Sequence, residues 1–169
     1  MPSSEAPLRV DDLETCANRI ISIVGTDIVL GLPLGLGKAN SIANALYARA
    51  EADPGINLKI FTSLTLARPR GKSTLERRFL EPLFERLAGD YPELAYHEPL
   101  QKTRLPPTIS VHESYFAAGQ RLGSPLAQQL YLCSNYTHMT RDLLDQGVNV
   151  IAQLVARRQS GDDRELSLS

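Results

Sequence analysis

The stretch Ile28–Leu46, IVLGLPLGLGKANSIANAL, gathers the residues best suited to hold a ligand. Gly31, Pro33, Gly35 and Gly37 punctuate a leucine-rich run, Lys38 follows, and a helix start comes next. A strand end, a glycine-rich turn and a helix N-terminus bring several backbone N–H groups to one point, which suits an anion. Glycine also lets a ligand or another chain segment come close. Two familiar phosphate-binding patterns fail here. G-x-x-x-x-G-K-[ST] requires glycine where Leu32 stands and a hydroxyl where Ala39 stands. G-x-G-x-x-G requires glycine where Asn40 stands, and no acidic residue is evident at the end of the next strand. The segment Gly31–Lys38 therefore reads either as an anion-holding turn of another kind or as a tight packing turn.

Other groups compete for attention. The hydroxyls of Thr62, Ser63 and Thr65 fall near one strand end, where they could bond a small carboxylate or merely satisfy backbone groups. Asn135 and His138 lie at a helix start; Asn135 is an obvious cap, and His138 is also compatible with a plain surface or packing role. The run Arg68–Arg78, RPRGKSTLERR, sets five cations against one carboxylate, enough to meet phosphates or simply to form a solvated face. Glu113 in VHESY is a carboxylate at a strand end, a position where glutamates are usually solvated. Cys16 and Cys133 are far apart with no C-x-x-C and read as two buried free thiols. His97, His112 and His138 lack metal-ligand spacing, so no metal is expected.

These groups must be carried by alternating helices and strands. Asp11 or Asp12 caps a helix whose face is Leu13, Cys16, Ala17, Ile20, Ile21 and Val24, ended by Gly25. Asp27–Leu32 is a nearly continuous apolar run, as in a strand covered on both faces. Asn40 or Ser41 caps a second helix reaching about Ala52, and Asp53-Pro54-Gly55 turns. Asn57–Leu66 is a second strand. Ser73 to Glu76 forms a capping box for a third helix, with Leu75, Phe79, Leu83, Phe84 and Leu87 as its apolar stripe and Pro82 as a kink. Residues 89–107, with four prolines, read as a long irregular connection. Thr108–Glu113 is a third strand, Ser124-Pro125 opens a short helix, and Asn135 caps another that ends at Gly147. Val148–Arg157 is a fourth strand, QSGDD turns, and ELSLS is the next strand. The pattern predicts an α/β fold with a mostly parallel sheet flanked by helices. The sequence stops inside that last strand, with no cap or polar tail, and so reads as part of a longer chain.

Bulk properties set outer bounds. A chain of 169 residues suffices for one domain, and 43% hydrophobic with 22% charged residues is ordinary globular composition. A net charge of −1 gives no global case for nucleic acid or an anionic membrane as partner. No apolar run approaches a membrane span, and MPSSEAPLRVDD lacks the parts of a signal peptide, so a cytoplasmic location is expected.

Three segments taken together resemble one family: DIVLGLPLGLGKANSIANAL, SYFAAGQRLGSPLAQQLYLCSNYTHMTRDLL, and GVNVIAQLVARR followed by ELSLS. In order and spacing they are similar to the N-terminal domain of the acetyl-CoA hydrolase/transferase family, which includes 4-hydroxybutyrate CoA-transferases. The resemblance runs from about Asp11 to Ser169. It implies one half of a fold of two related α/β domains with the active site between them. It implies acyl-CoA and a small carboxylate as substrates, coenzyme A as the carrier, and acetate metabolism as a setting. It further implies a glutamate nucleophile that forms a glutamyl-CoA thioester. That glutamate, and most coenzyme A contacts, belong to the C-terminal half, so no residue of this chain is assigned the nucleophile's role. This domain is then expected to lack activity alone and to contribute a wall of the acyl pocket, through Gly31–Lys38, through Thr62 and Ser63, or through Asn135 and His138. Its partners would be the C-terminal domain of the same parent chain and, in a homo-oligomer, a second copy of itself. The alternatives are a stand-alone module that holds a small anion at Gly31–Lys38, and a scaffold domain without chemistry.

Overall fold

A computed structural model describes residues 7–69, 71–160 and 163–168. Residues 1–6, Arg70 of the basic run, Gly161 and Asp162 of the expected turn, and Ser169 lie outside the described residues.

Helix α1 (Leu13–Val24) starts as its sequence dictates: Asp12 Oδ2 accepts from Thr15 N at 2.7 Å. It ends at Gly25, whose φ of 83° suits glycine. Ala17 is buried and Ile20, Ile21 and Val24 pack against the core. Strand β1 (Asp27–Leu34) runs two residues beyond the apolar run. The pairing register shifts by one residue between Gly31 and Leu34, a bulge that accommodates Pro33, which has no N–H to give a ladder. A single 3-10 turn (Gly35–Gly37) leads to α2 (Asn40–Ala52). Asn40 does not cap this helix. The N-cap is Ala39, and the Asn40 amide instead donates to Pro92 O at 2.6 Å.

Strands β2 (Asn57–Ser63) and β3 (Ile109–Glu113) extend the sheet on one side of β1, and β4 (Val150–Ile151) pairs on the other. The order is β3-β2-β1-β4, with every pair parallel. The chain is thus an α/β protein with a parallel sheet flanked by helices, as the alternation predicts. Ile28, Leu30, Leu58, Ile60 and Val111 are buried in one core with Ala43, Leu46 and Ala50 of α2. Ile28, Leu30, Leu58 and Ile60 are buried on the face that α2 covers, whereas Val29 and Lys59, which point the other way, are half-buried. Although β4 has only two residues, Asn149 extends its hold on β1. Asn149 N donates to Val29 O at 3.1 Å, its Oδ1 accepts from Val29 N at 2.9 Å, and its Nδ2 donates to Asp27 O at 2.8 Å.

Elsewhere the structure departs from the sequence pattern. The connection after α3 (Thr74–Ala88) is ordered rather than irregular. Asn44 clamps it, donating to Glu93 O and accepting from Ala95 N, both at 2.8 Å, and it contains α4 (His97–Gln101). In α3 the capping box forms, with Glu76 N on Ser73 Oγ at 3.2 Å and Ser73 N on Glu76 Oε2 at 3.0 Å. The helix continues through Pro82 to Ala88. Its apolar stripe does not enter the core: Leu75, Phe79, Leu83 and Leu87 are exposed, and only Phe84 is half-buried, under the Arg68 guanidinium. Helix α5 (Pro125–Gln129) is capped by Ser124 as expected. Helix α6 is regular only over Met139–Asp145, because Asn135 closes the irregular turn ahead of it through Thr137 N and His138 N, each at 3.1 Å.

The expected strand Val148–Arg157 is two strands. After β4 the chain follows the glycine loop, with Ala152 N on Gly31 O at 3.1 Å and Leu154 N on Gly37 O at 2.8 Å. It then forms β5 (Val155–Ser160), which pairs with β6 (Asp163–Leu168) in an antiparallel hairpin separate from the main sheet. Among the described residues, no helix is long and apolar enough to cross a membrane.

Candidate functional site

The carboxyl ends of β1 and β2 are tied together by Lys38. This residue is 1% exposed, and its Nζ donates to Ser63 O, to Leu64 O at 3.1 Å and more weakly to Gly35 O at 3.5 Å. Burial pushes its pKa down to about 8, against the opposing pull of the Glu113 charge. Lys38 therefore acts as an internal clamp, and its ammonium is aimed at backbone carbonyls. The clamp holds an unfavourable backbone. Leu64 has φ 48°, a left-handed conformation that costs a leucine about 1 kcal/mol. Its N–H is fixed by Tyr115 O at 2.6 Å and its carbonyl by Lys38.

On the α2 face of the sheet lies a buried ionic cluster. Glu113 and Arg121 are 2% and 1% exposed. Arg121 Nε and Nη2 both approach Glu113 Oε2 at 2.7 Å, and Nη1 reaches Gln101 Oε1 at 3.2 Å. Glu113 Oε1 accepts from Thr65 N at 3.2 Å, and Thr65 Oγ1 lies 3.0 Å from the Tyr96 hydroxyl. Burial raises the Tyr96 pKa. The hydrogen bond with Thr65 opposes this rise. Glu113 is thus no solvated strand-end carboxylate. It is committed to Arg121, and the reason is tertiary: a cation eight positions along folds back onto it.

A cavity of ≈ 460 Å³ opens at the carboxyl ends of β1, β2 and β3, roofed by the segment leading into α6. Its most buried apolar wall is Leu32 and Phe61, the latter stacked on His112 at 4.7 Å between ring centres. Leu132, Met139 and Leu143 form half-buried flanks. Tyr115, Tyr131, Tyr136 and Leu34, all exposed, form the mouth. Polar atoms are few. The Ser63 and Ser114 hydroxyls hydrogen-bond each other, and Ser114 Oγ also reaches Thr62 O at 3.4 Å. Ser134 Oγ donates to Asp142 Oδ2 at 2.5 Å, which helps hold the Asp142 carboxyl below its usual range. Asn135 spends its Oδ1 on the turn, leaving its Nδ2 hydrogens to solvent or a ligand. Among the described residues, no charged side chain lines this wall.

Of the residues singled out from sequence, Pro33, Thr62, Ser63 and Asn135 lie on the cavity wall. Neighbouring strand residues face opposite sides, so the Thr62 hydroxyl lies near Tyr96 while that of Ser63 pairs with Ser114. Gly31, Gly35, Gly37 and Lys38 lie behind the wall: two of the glycine carbonyls accept from the chain after β4. His138 is exposed at the start of α6. Arg68 of the basic run is engaged, its Nη2 donating to Gly89 O at 2.6 Å. Cys16 is half-buried and Cys133 exposed; both are free thiols, correcting the expectation of two buried ones. Sequence reasoning missed Ser114, Tyr115, Tyr131, Ser134 and Met139. The position of Ser114 and Tyr115 just past a parallel strand was the available signal, since ligands gather at carboxyl ends.

No histidine, lysine or carboxylate hydrogen-bonds the Ser63 or Ser114 hydroxyl among the described residues. Among those residues, no group of three or more His, Cys, Asp or Glu side chains is placed to hold a metal ion. Comparison of the chain with protein families, with curated proteins and with solved structures finds no match.

Proposed function

We propose that this domain is the acyl-binding half of an acyl-CoA hydrolase or an acyl-CoA:carboxylate CoA-transferase, with its nucleophilic glutamate supplied from outside the 169 residues. The observation that carries this reading is a largely apolar cavity at the strand ends, with a hydroxyl pair and an amide on its wall. Such a wall suits an acyl group and its carbonyl oxygen. The reaction comes from the family resemblance. A glutamate carboxylate attacks the thioester carbonyl, giving an acyl-glutamyl anhydride and releasing coenzyme A thiolate. The thiolate attacks the glutamyl carbonyl, giving a glutamyl-CoA thioester and freeing the carboxylate product. Water then completes hydrolysis, or a second carboxylate completes transfer. Ser63 and Ser114 would orient the acyl carbonyl, and Lys38 would keep Ser63 in place.

The test is amide NMR of the chain titrated with butyryl-CoA, butyrate and inorganic phosphate. The expected result is that butyryl-CoA shifts Ser63, Ser114 and Tyr131 without thioester loss. Thioester cleavage by this chain alone would overturn the division of labour. Phosphate binding at Gly31–Lys38 with no acyl-CoA binding would favour a stand-alone anion-binding module instead.

A further inference from the structure

We infer that the cavity selects a neutral acyl group of intermediate length, against acetyl and against acyl groups that end in a second carboxylate. This rests on the acyl-binding reading above and names its substrate class. Size is the first argument. At roughly 30 Å³ for each water-sized group, a cavity of ≈ 460 Å³ has room for about fifteen such groups. An acetyl group fills a small part of it. Space remains for a chain of about six carbons even with the thioester sulfur and its first neighbours inside the mouth.

Lining is the second argument. The route inward from the tyrosine mouth passes Leu132, Met139 and Leu143 and ends at Leu32 and Phe61. Each methylene laid along these side chains tightens binding about fourfold, the equivalent of ~0.8 kcal/mol. Met139, unbranched and polarisable, adapts to chains of differing shape.

Charge is the third argument. A second carboxylate at the far end of the chain would lose its water, and among the described lining residues no cation replaces it. The two buried cations of the neighbourhood are committed elsewhere, Lys38 to backbone carbonyls and Arg121 to Glu113. Neither lines the cavity. The Ser63–Ser114 pair can satisfy one carbonyl oxygen by rotating a hydroxyl, and this is the neutral, singly polar headgroup of an acyl thioester.

The experiment is calorimetric titration of this chain with free coenzyme A and with acetyl-, butyryl-, hexanoyl-, decanoyl- and succinyl-CoA, the site being located by amide NMR. Hexanoyl-CoA is expected to bind at least about thirtyfold more tightly than acetyl-CoA, with no further gain at decanoyl. Succinyl-CoA is expected to bind at least about tenfold more weakly than butyryl-CoA. The shifts must fall on Met139 and Leu143; shifts confined to the exposed stripe of α3 would overturn the inference. Acetyl-CoA within about threefold of hexanoyl-CoA, or succinyl-CoA equal to butyryl-CoA, would overturn it while leaving acyl-CoA recognition intact. No binding of any acyl-CoA would remove the acyl-binding reading itself. Leu143→Trp, which narrows the cavity, should bring the hexanoyl-to-acetyl ratio toward one, and Met139→Phe should lower it partway if the first variant does not fold.

Discussion

Replacing Lys38 by methionine separates the two opposing effects that this residue exerts. The substitution removes the donors that Ser63 O and Leu64 O now share, and each stranded carbonyl costs about 1–3 kcal/mol. It also relieves the burial of a charge. A pKa lowered from 10.5 to about 8 is a gap of 2.5, worth ~3 kcal/mol at 1.36 kcal/mol per pH unit. The two terms nearly cancel at pH 7, so the loss there should be no more than about 3 kcal/mol. The pH dependence is the sharper readout. Below pH about 8 the lysine is charged in both folded and unfolded chains, and its burial cost is constant. Between about 8 and 10.5 the folded protein has released the proton that the unfolded chain still holds, so the parent protein gains stability as pH rises. Lys38→Met lacks this gain. Urea unfolding followed by far-ultraviolet circular dichroism at steps from pH 7 to 10.5 should show the parent pulling ahead by ~3 kcal/mol. Alkaline effects of other groups cancel in the difference. Parallel stability profiles would refute the claim that Lys38 is a desolvated, charged clamp.

Two further outcomes test the fold around the site. Glu113→Gln leaves the Arg121 guanidinium buried without its counter-charge and should cost about 3–5 kcal/mol in urea, whereas Glu113→Leu with Arg121→Met should recover most of that loss; equal losses in both would mean the pair is not coupled. Ser73→Ala should weaken α3 by about 1 kcal/mol, seen as faster amide exchange confined to its first turn, because this helix shares little with the core. A matching drop in the global unfolding midpoint would show that α3 is part of the cooperative unit after all.

The parallel sheet was legible because its strands are short apolar runs between well-marked helix ends, such as Asp12 and Gly25. What escaped notice needed the third dimension. The α3 periodicity was real, yet a helical stripe does not say whether anything covers it, and Leu75 and Phe79 face outward. Asn40 was a plausible cap whose amide is instead drawn to Pro92, more than fifty residues away. The hairpin was hidden because Val148–Arg157 reads as one strand until the glycine loop captures its middle. Lys38 read as the last residue of an anion-holding or packing turn, because a Gly-Lys pair carries no sign of burial. One part of the site was available and passed over: Thr62 and Ser63, being adjacent in a strand, had to face opposite ways.

Asn149 has a consequence for the molecule among its own copies. A parallel sheet whose outer strand is only Val150–Ile151 would leave the start of β1 with an open row of backbone donors and acceptors, a template on which a second chain could add a strand. The Asn149 side chain occupies that row, presenting its carboxamide to Asp27 and Val29 as a peptide group would. One polar side chain thus serves as a stopper against edge-to-edge aggregation, without requiring a longer strand.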